Sequence, residues 1–227
     1  MTGPLRLIVF DVDGTLVDSQ GDILAAMGHA FGRAGLGVPA RDAVLGIIGL
    51  SLDVAMMRLA PQADTQIQAR MVEWYKEAYM DLRARTGAAE SSPLYPGARA
   101  MLEHLAARPD HLLGVATGKS RRGLDKLLEG HDLGHMFVTQ QVADHHPSKP
   151  HPSMLIEALR ETGIDARDAV MIGDTSFDME MARGAGIRPI GVSWGYHPLS
   201  ALSAAEQVID SFAALPGALE GIWGDAT

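Results

Sequence analysis

The sequence predicts an α/β protein, a doubly wound parallel sheet with an all-helical unit inserted after its first strand. Three observations predict it. The apolar residues Leu5, Leu7, Ile8, Val9 and Phe10 suit a strand covered on both faces. Between residues of about 18 and 90, apolar positions recur only at helical spacing, with no strand signal. From Ala98 onward helical periods alternate with short apolar runs, which implies crossover connections and hence parallel strands.

The elements follow in order. Gly14 and Thr15 supply the turn that ends the first strand. Ile23, Leu24, Met27, Ala30, Phe31 and Ala34 mark an amphipathic helix over 21–35, and the pattern repeats over 45–59 and 67–82, with Pro39, Pro61 and glycines between. Ser91-Ser92-Pro93-Leu94-Tyr95-Pro96-Gly97 reads as the return link. Helices are then expected over 98–107, 121–128, 152–162 (Pro152 at the opening turn) and 177–185. Strands are expected over 111–117, 136–139, 169–172, 189–192 and 207–209. The insert is placed to lie over the strand ends as a cap.

Composition narrows the function. The 227 residues, 47% of them apolar, fit one large domain or a core with a smaller insert. With 19 basic and 28 acidic residues the formal charge is −9, which argues against a broad nucleic-acid surface and requires any anionic substrate to be held locally. Without cysteine there are no disulfides, thiolate metal sites or cysteine nucleophile, as fits a reducing cytoplasm. The start lacks a charged lead with a long hydrophobic segment, and no apolar run approaches the roughly 18 residues that would span a bilayer, so neither secretion nor a membrane is expected. The expected state is a monomer or homodimer.

Polar residues recur at the predicted strand ends, where ligands bind in open α/β sheets. Asp11 and Asp13 stand one residue apart at the end of the first strand. Carboxylates this close repel unless a cation lies between them or they divide nucleophilic and acid–base work. An Asp-x-Asp-Gly turn and a calcium loop share the pattern, but the calcium loop's twelfth position is Asp22 rather than Glu. Thr117 ends the second strand and Gly118 opens the loop; a hydroxyl and N–H groups there suit phosphate oxygens, as they also suit capping of the next helix. Lys149 precedes Pro150 in an extended segment and is either solvated or set beside Asp11 to neutralise it. Asp174 leaves a buried strand after Gly173, with Asp178 four residues on: a helix-capping pair, or ligands for a hard cation shared with Asp11. His145, His146 and His151 lie in a proline-rich loop without ligand spacing and read as solvated.

In this order, the four sites resemble the four motifs of the haloacid dehalogenase superfamily of aspartate-nucleophile phosphohydrolases. Asp11-Val12-Asp13-Gly14-Thr15-Leu16-Val17-Asp18-Ser19 is similar to its first motif, Thr117 to the second, Lys149 to the third, and Asp174 with Asp178 to the fourth. The resemblance implies a Rossmann-like core from residues 1–17 and 91–227 and a helical cap of the family's first type over 18–90. It implies a Mg²⁺-dependent phosphomonoesterase for a small phosphorylated metabolite, with Asp11 as nucleophile, Asp13 as acid and base, and Thr117 and Lys149 on the phosphoryl oxygens. Asp11, Asp174, Asp178 and the Asp13 carbonyl would serve the metal, Asp178 directly or by orienting a water or Lys149. Gly118 departs from the Asn that relatives often carry there. Gly118 and Lys119 are the expected substrate contacts, and Lys119, Arg121 and Arg122 could meet a second anionic group or be plain surface.

Ile190-Gly191-Val192-Ser193-Trp194-Gly195-Tyr196 resembles the segment after the fifth strand of phosphoglycolate phosphatases, and Gly46-Ile47-Ile48-Gly49-Leu50-Ser51 their cap specificity loop. The loop lacks the basic residue of the sugar-phosphate mutases, and the cap offers no evident lysine for a phosphonatase-type Schiff base. Asp13 argues against dehalogenase chemistry. 2-Phosphoglycolate is therefore one candidate substrate. Pyrophosphatase or nucleotidase activity on the same machinery, and a non-catalytic phosphate-binding protein, are the alternatives.

Overall fold

The computed structural model describes residues 4–224, so the outer ends of the expected core and the first three residues of the chain lie outside the described residues. Six strands form one parallel sheet: β1 (Arg6–Phe10), β2 (His111–Thr117), β3 (Phe137–Val142), β4 (Ala169–Gly173), β5 (Arg188–Val192) and β6 (Gln207–Ile209). Their order is β3-β2-β1-β4-β5-β6. Hence β1 is central, and the chain changes direction across the sheet between β1 and β4. The register places Phe10 beside both Val115 and Ile172, so the residues following β1, β2 and β4 emerge on one edge of the sheet.

Between β1 and β2 the chain is helical: α1 (Gln20–Arg33), α2 (Arg41–Leu45), α3 (Leu52–Leu59), α4 (Thr65–Thr86) and α5 (Ala88–Ser91). Asp64 caps α4 by accepting from Ile67 N at 2.8 Å, which satisfies one of the amides a helix start leaves free. Met27, Phe31, Met56, Met71 and Trp74 close a separate hydrophobic core among these helices. The sequence pattern over 45–59 is divided rather than continuous. The chain turns over 46–51, where Gly49 takes φ +99°, a conformation that opposes other residues but not glycine.

Both faces of the sheet are covered, which is why β1 reads as apolar at successive positions. Leu7 and Val9 pack toward α8 (Ser153–Thr162) and α9 (Ser176–Gly184). Ile8 and Phe10 pack toward α6 (Ala98–Ala106), α7 (Arg121–Gly130) and a final helix, α10 (Leu215–Gly224). The sequence reading assigns no element after residue 209. Pro216 and Gly217 disguise α10 because they resemble a turn, yet proline is tolerated in a helix's first turn. Ala218, Leu219, Ile222 and Trp223 supply its buried face.

Leu219→Ala is expected to lower unfolding free energy by about 2–5 kcal/mol in urea denaturation, the usual cost of a buried leucine lost from a close-packed core. A change within about 0.5 kcal/mol, the range of surface substitutions, would show that α10 does not cover this face.

Candidate active site

The strand ends bring the expected residues of the first, third and fourth motifs together. Asp11 follows β1, and its backbone N donates to Ile172 O of β4 at 2.9 Å, so it sits beside the exit of that neighbouring strand. There Asp174 leaves β4, and Asp178 occupies the first turn of α9. One ligand oxygen from each of Asp11, Asp174 and Asp178 lies within 4.8 Å of the others, and all three residues are buried. Lys149 Nζ reaches into the same place, 2.8 Å from Asp11 Oδ1 and 2.6 Å from Asp178 Oδ1, with its side chain wholly covered.

The three carboxylates are not held alike. Asp178 is fixed at both oxygens: Oδ1 accepts from Lys149, and Oδ2 accepts from Thr175 N (3.1 Å) and Thr175 Oγ1 (2.7 Å). Thr175 in turn accepts from Asp178 N, so the pair forms the capping box of α9. The helix-capping reading of Asp178 therefore holds together with its place in the cluster. Asp174 accepts from Thr15 Oγ1 (2.9 Å) and from Tyr196 N (2.8 Å). Asp11 has only its ion pair with Lys149 at Oδ1; its Oδ2 has no partner among the described residues.

Electrostatics follow from that count. Burial is the largest influence on Asp11, and with Asp178 and Asp13 nearby it pushes the carboxyl up to about 7 against the pull of Lys149. Asp174 is raised well above the usual range by burial, then by Asp11 and Asp178. For Lys149 burial works against the charge, but Asp11 and Asp178 more than offset it and hold the ammonium above its usual value. Three buried carboxylates with one cation leave a deficit that a divalent cation would fill. The ligand atoms are all oxygen and Oδ2 of Asp11 lacks a donor, which fits a hard cation.

The carboxylate of Asp13 stands apart from the cluster and turns toward the insert. It accepts from Ser19 Oγ and pairs with Lys119 Nζ at 2.8 Å; Lys119 also donates to Tyr79 OH of α4 at 3.2 Å. Tyr196 ties this side to the cluster. Its hydroxyl accepts from Ser19 N (2.9 Å) and donates to Asp18 Oδ1 (3.2 Å), while its own N holds Asp174. Ser19, Tyr79 and Tyr196 were not among the expected site residues. Ser19 closes the first motif and Tyr196 lies in the quoted Trp194-Gly195-Tyr196 turn, whereas nothing in the local sequence marks Tyr79.

Thr117 is buried at the end of β2 and accepts from Lys119 N at 3.2 Å. It does not cap the next helix, since Ser120 does so by accepting from Gly123 N. Gly118 has no room for a side chain: a Cβ would lie 2.6 Å from the carbonyl oxygens of both Gly49 and Leu50. The insert's loop thus occupies the space that a side chain at 118 would need. Arg121 is lost as a substrate contact. It binds Asp125 (3.1 Å) and both oxygens of Gln140 (2.8 and 2.6 Å), which turns it away from the cavity that Arg122 lines. The histidine loop forms no metal cluster among the described residues; His146 binds Ser153 and Gln141 instead.

An acid cluster at the switch point of a parallel sheet, with a helical insert above it, defines a hydrolase class. The sequence profile of the haloacid dehalogenase-like hydrolases matches residues 8–192, and the chain belongs to that family. It is 34% identical over 222 residues to the probable phosphatase IndB of Dickeya dadantii, covering 95% of this chain and 94% of that protein. It is 30% identical over 225 residues to a phosphoglycolate phosphatase of Pasteurella multocida, covering 95% and 98%. The crystal structure of a predicted phosphoglycolate phosphatase from Haemophilus somnus superposes with a TM-score of 0.82 at 25% identity, over 94% of this chain and 97% of that one. A β-phosphoglucomutase from Clostridium difficile, 17% identical, shares the fold with a TM-score of 0.83 over 98% of both chains. Within the family this chain is an enzyme of the phosphatase type.

Between the usual carboxylate value of 3.8 and about 7, folded Asp11 keeps a proton that the unfolded chain has released, so stability falls as pH rises through that window. A bound divalent cation reverses this cost, because it needs the carboxylates ionised. Thermal melts with and without Mg²⁺ after chelation are therefore expected to show a larger upward shift in Tm at pH 8 than at pH 5. Equal shifts at both would contradict a cation site at this cluster.

Proposed function

We propose that this chain is a Mg²⁺-dependent phosphomonoesterase that works through a phosphorylated Asp11. The observation that carries the reading is the state of Asp11: a carboxylate at the end of the central strand, its Oδ1 paired with Lys149 at 2.8 Å and its Oδ2 without a partner among the described residues. Every other acid of the cluster is pinned in place. A nucleophile needs an unengaged lone pair and a cation to lower the repulsion from an incoming phosphate.

In the first step an Asp11 oxygen attacks phosphorus, the bond to the leaving oxygen breaks, and Asp13 gives that oxygen a proton. In the second, Asp13 takes a proton from water, the water oxygen attacks the phosphorus, and inorganic phosphate leaves with Asp11 restored. Dividing one displacement into two lowers each barrier. Asp13 suits both turns because Ser19 and Lys119 orient its carboxylate on the cavity side, away from the cluster. Thr117 and Lys149 hold the transferred oxygens from the ends of two further loops. Asp11 and Asp174 with the carbonyl of Asp13 would hold Mg²⁺, and Asp178 would orient Lys149 and a metal-bound water. When bound, the cation supplies charge that draws phosphate to an acidic crevice. The substrate is a small phosphorylated metabolite. The relatives named phosphoglycolate phosphatases make 2-phosphoglycolate the first compound to test.

Asp11→Asn is expected to abolish phosphate release from p-nitrophenyl phosphate with Mg²⁺ present, while circular dichroism stays that of the parent. Full turnover by a folded Asp11→Asn variant would sink the nucleophile assignment.

A further inference from the structure

A cavity of about 680 Å³ lies between the insert and the strand-end loops, with Asp13, Gly118 and Lys119 among its lining. That volume is in the range of sites for drug-sized ligands, roughly 300–1,000 Å³. The organic part of 2-phosphoglycolate, two carbons and a carboxylate, occupies only a few water volumes of about 30 Å³ each. Much of the wall is apolar: Met27, Ile47, Leu50, Val72 and Tyr75 all face the space. Such a wall gives a two-carbon acid nothing to bind.

The charges on the wall are unequal. Tyr79 separates two cations, with Lys119 Nζ 3.2 Å from its hydroxyl and the Arg83 guanidinium 4.8 Å from its ring centroid. Lys119 is answered by Asp13. Among the described residues Arg83 donates only to neutral oxygens, Gly123 O at 3.1 Å and Ser92 Oγ at 3.4 Å, and its Nε is buried without an acceptor. Arg122 lines the same cavity from the first turn of α7 and forms no ion pair among the described residues. Wall carboxylates are largely taken: Glu73 by Lys76 (2.9 Å), Glu77 by Arg33 (3.4 Å) and Asp144 by Arg121 N (2.6 Å). Asp53, in the first turn of α3, is the exception. Arg83 and Lys119 also repel each other, and a second anion would relieve that repulsion.

We propose that Arg83 and Arg122 form a second anion subsite, and that the substrate is a phosphomonoester with a bulky, largely apolar body carrying a second anionic group, a carboxylate or a second phosphate. The proposal rests on the phosphatase reading for its reaction, not for its binding chemistry. Guanidinium–anion pairs are charge-assisted, bidentate and geometrically selective.

The test compares 2-phosphoglycolate, 2-naphthyl phosphate, 6-carboxy-2-naphthyl phosphate and naphthalene-2,6-diyl bisphosphate. At least one of the two doubly anionic naphthyl esters is expected to exceed both other compounds in kcat/KM by roughly tenfold or more, as a charge-assisted contact allows. The carboxylate and phosphate arms show which anion is preferred. Arg83→Gln is expected to reduce the advantage of that ester over 2-naphthyl phosphate by roughly tenfold through KM. Arg122→Gln, at an exposed position where folding is not at risk, is expected to act in the same direction, and Arg83→Lys to restore part of the loss. A highest kcat/KM for 2-phosphoglycolate, or an advantage unchanged in both Gln variants, would overturn the proposal. Calorimetry with 6-hydroxy-2-naphthoate and 2-naphthol reads the subsite without turnover. Tighter binding of the acid in the parent, lost in Arg83→Gln, supports it even if no ester is hydrolysed, a result that would instead sink the phosphatase reading. Equal binding of the two ligands overturns the subsite.

Discussion

Mutual repulsion among Asp11, Asp174 and Asp178, buried with Lys149 as the only cation in contact with them among the described residues, is the constraint on which the rest of the site depends. Burial strengthens the repulsion, and removing Lys149 from such an arrangement would leave charge with no partner, typically a cost of about 3–5 kcal/mol. The surroundings answer by fixing two acids and freeing the third. Donors from Thr15 and Tyr196 hold Asp174, and Thr175 with Lys149 holds Asp178. Glycines make the close approach feasible, since a Cβ at Gly14, Gly173 or Gly195 would collide with one of these side chains. At Gly14 the backbone adds its own demand, with φ at +84°. What is left over is Asp11, destabilised as an anion and with one oxygen unengaged.

The sheet makes this arrangement possible because its strands are parallel and in near register. Asp11 and Asp174 come from sequence positions far apart, yet they lead from adjacent strands in which Phe10 pairs with Ile172. An antiparallel neighbour would send its end to the opposite edge. The long insert between β1 and β2 then has to leave the sheet at this same edge. Its exit segment, Asp18 and Ser19, is tied to Tyr196, whose amide holds Asp174. Cluster, exit segment and the β5 loop are therefore joined through one residue, Tyr196.

The parts legible in the sequence were those where chemistry and strand ends coincide. Asp11, Asp174 and Asp178 each follow or flank a buried run, Lys149 is marked by the Pro150 after it, and the first, second, fourth and fifth strands lie within a residue or so of where the apolar runs place them. Other parts were hidden for physical reasons. Tyr79 reaches the site from the middle of α4, where its spacing reads only as helix packing. Arg121 and Arg122 are neighbours in sequence, but one helical residue is a turn of about 100°, enough to send one to Gln140 and the other to the cavity. α10 was masked by a proline and a glycine that a first helical turn accepts. Gly118 looked like a lost contact, whereas its bareness is required by two carbonyls of the insert.

That last point bears on how the insert governs the chemistry. Its loop meets the core by backbone contacts at two strand-end loops: the carbonyls of Gly49 and Leu50 lie over Gly118, and Ser51 N donates to Ser148 Oγ at 2.8 Å. Gly118 follows Thr117, and Ser148 precedes Lys149, the two residues assigned here to the phosphoryl oxygens. The contacts that seat the insert are therefore made by the immediate neighbours of the groups that would seat the phosphate. Lifting the insert would break the Ser51–Ser148 hydrogen bond and withdraw both carbonyls from Gly118, and a side chain at 118 would hold the loop away.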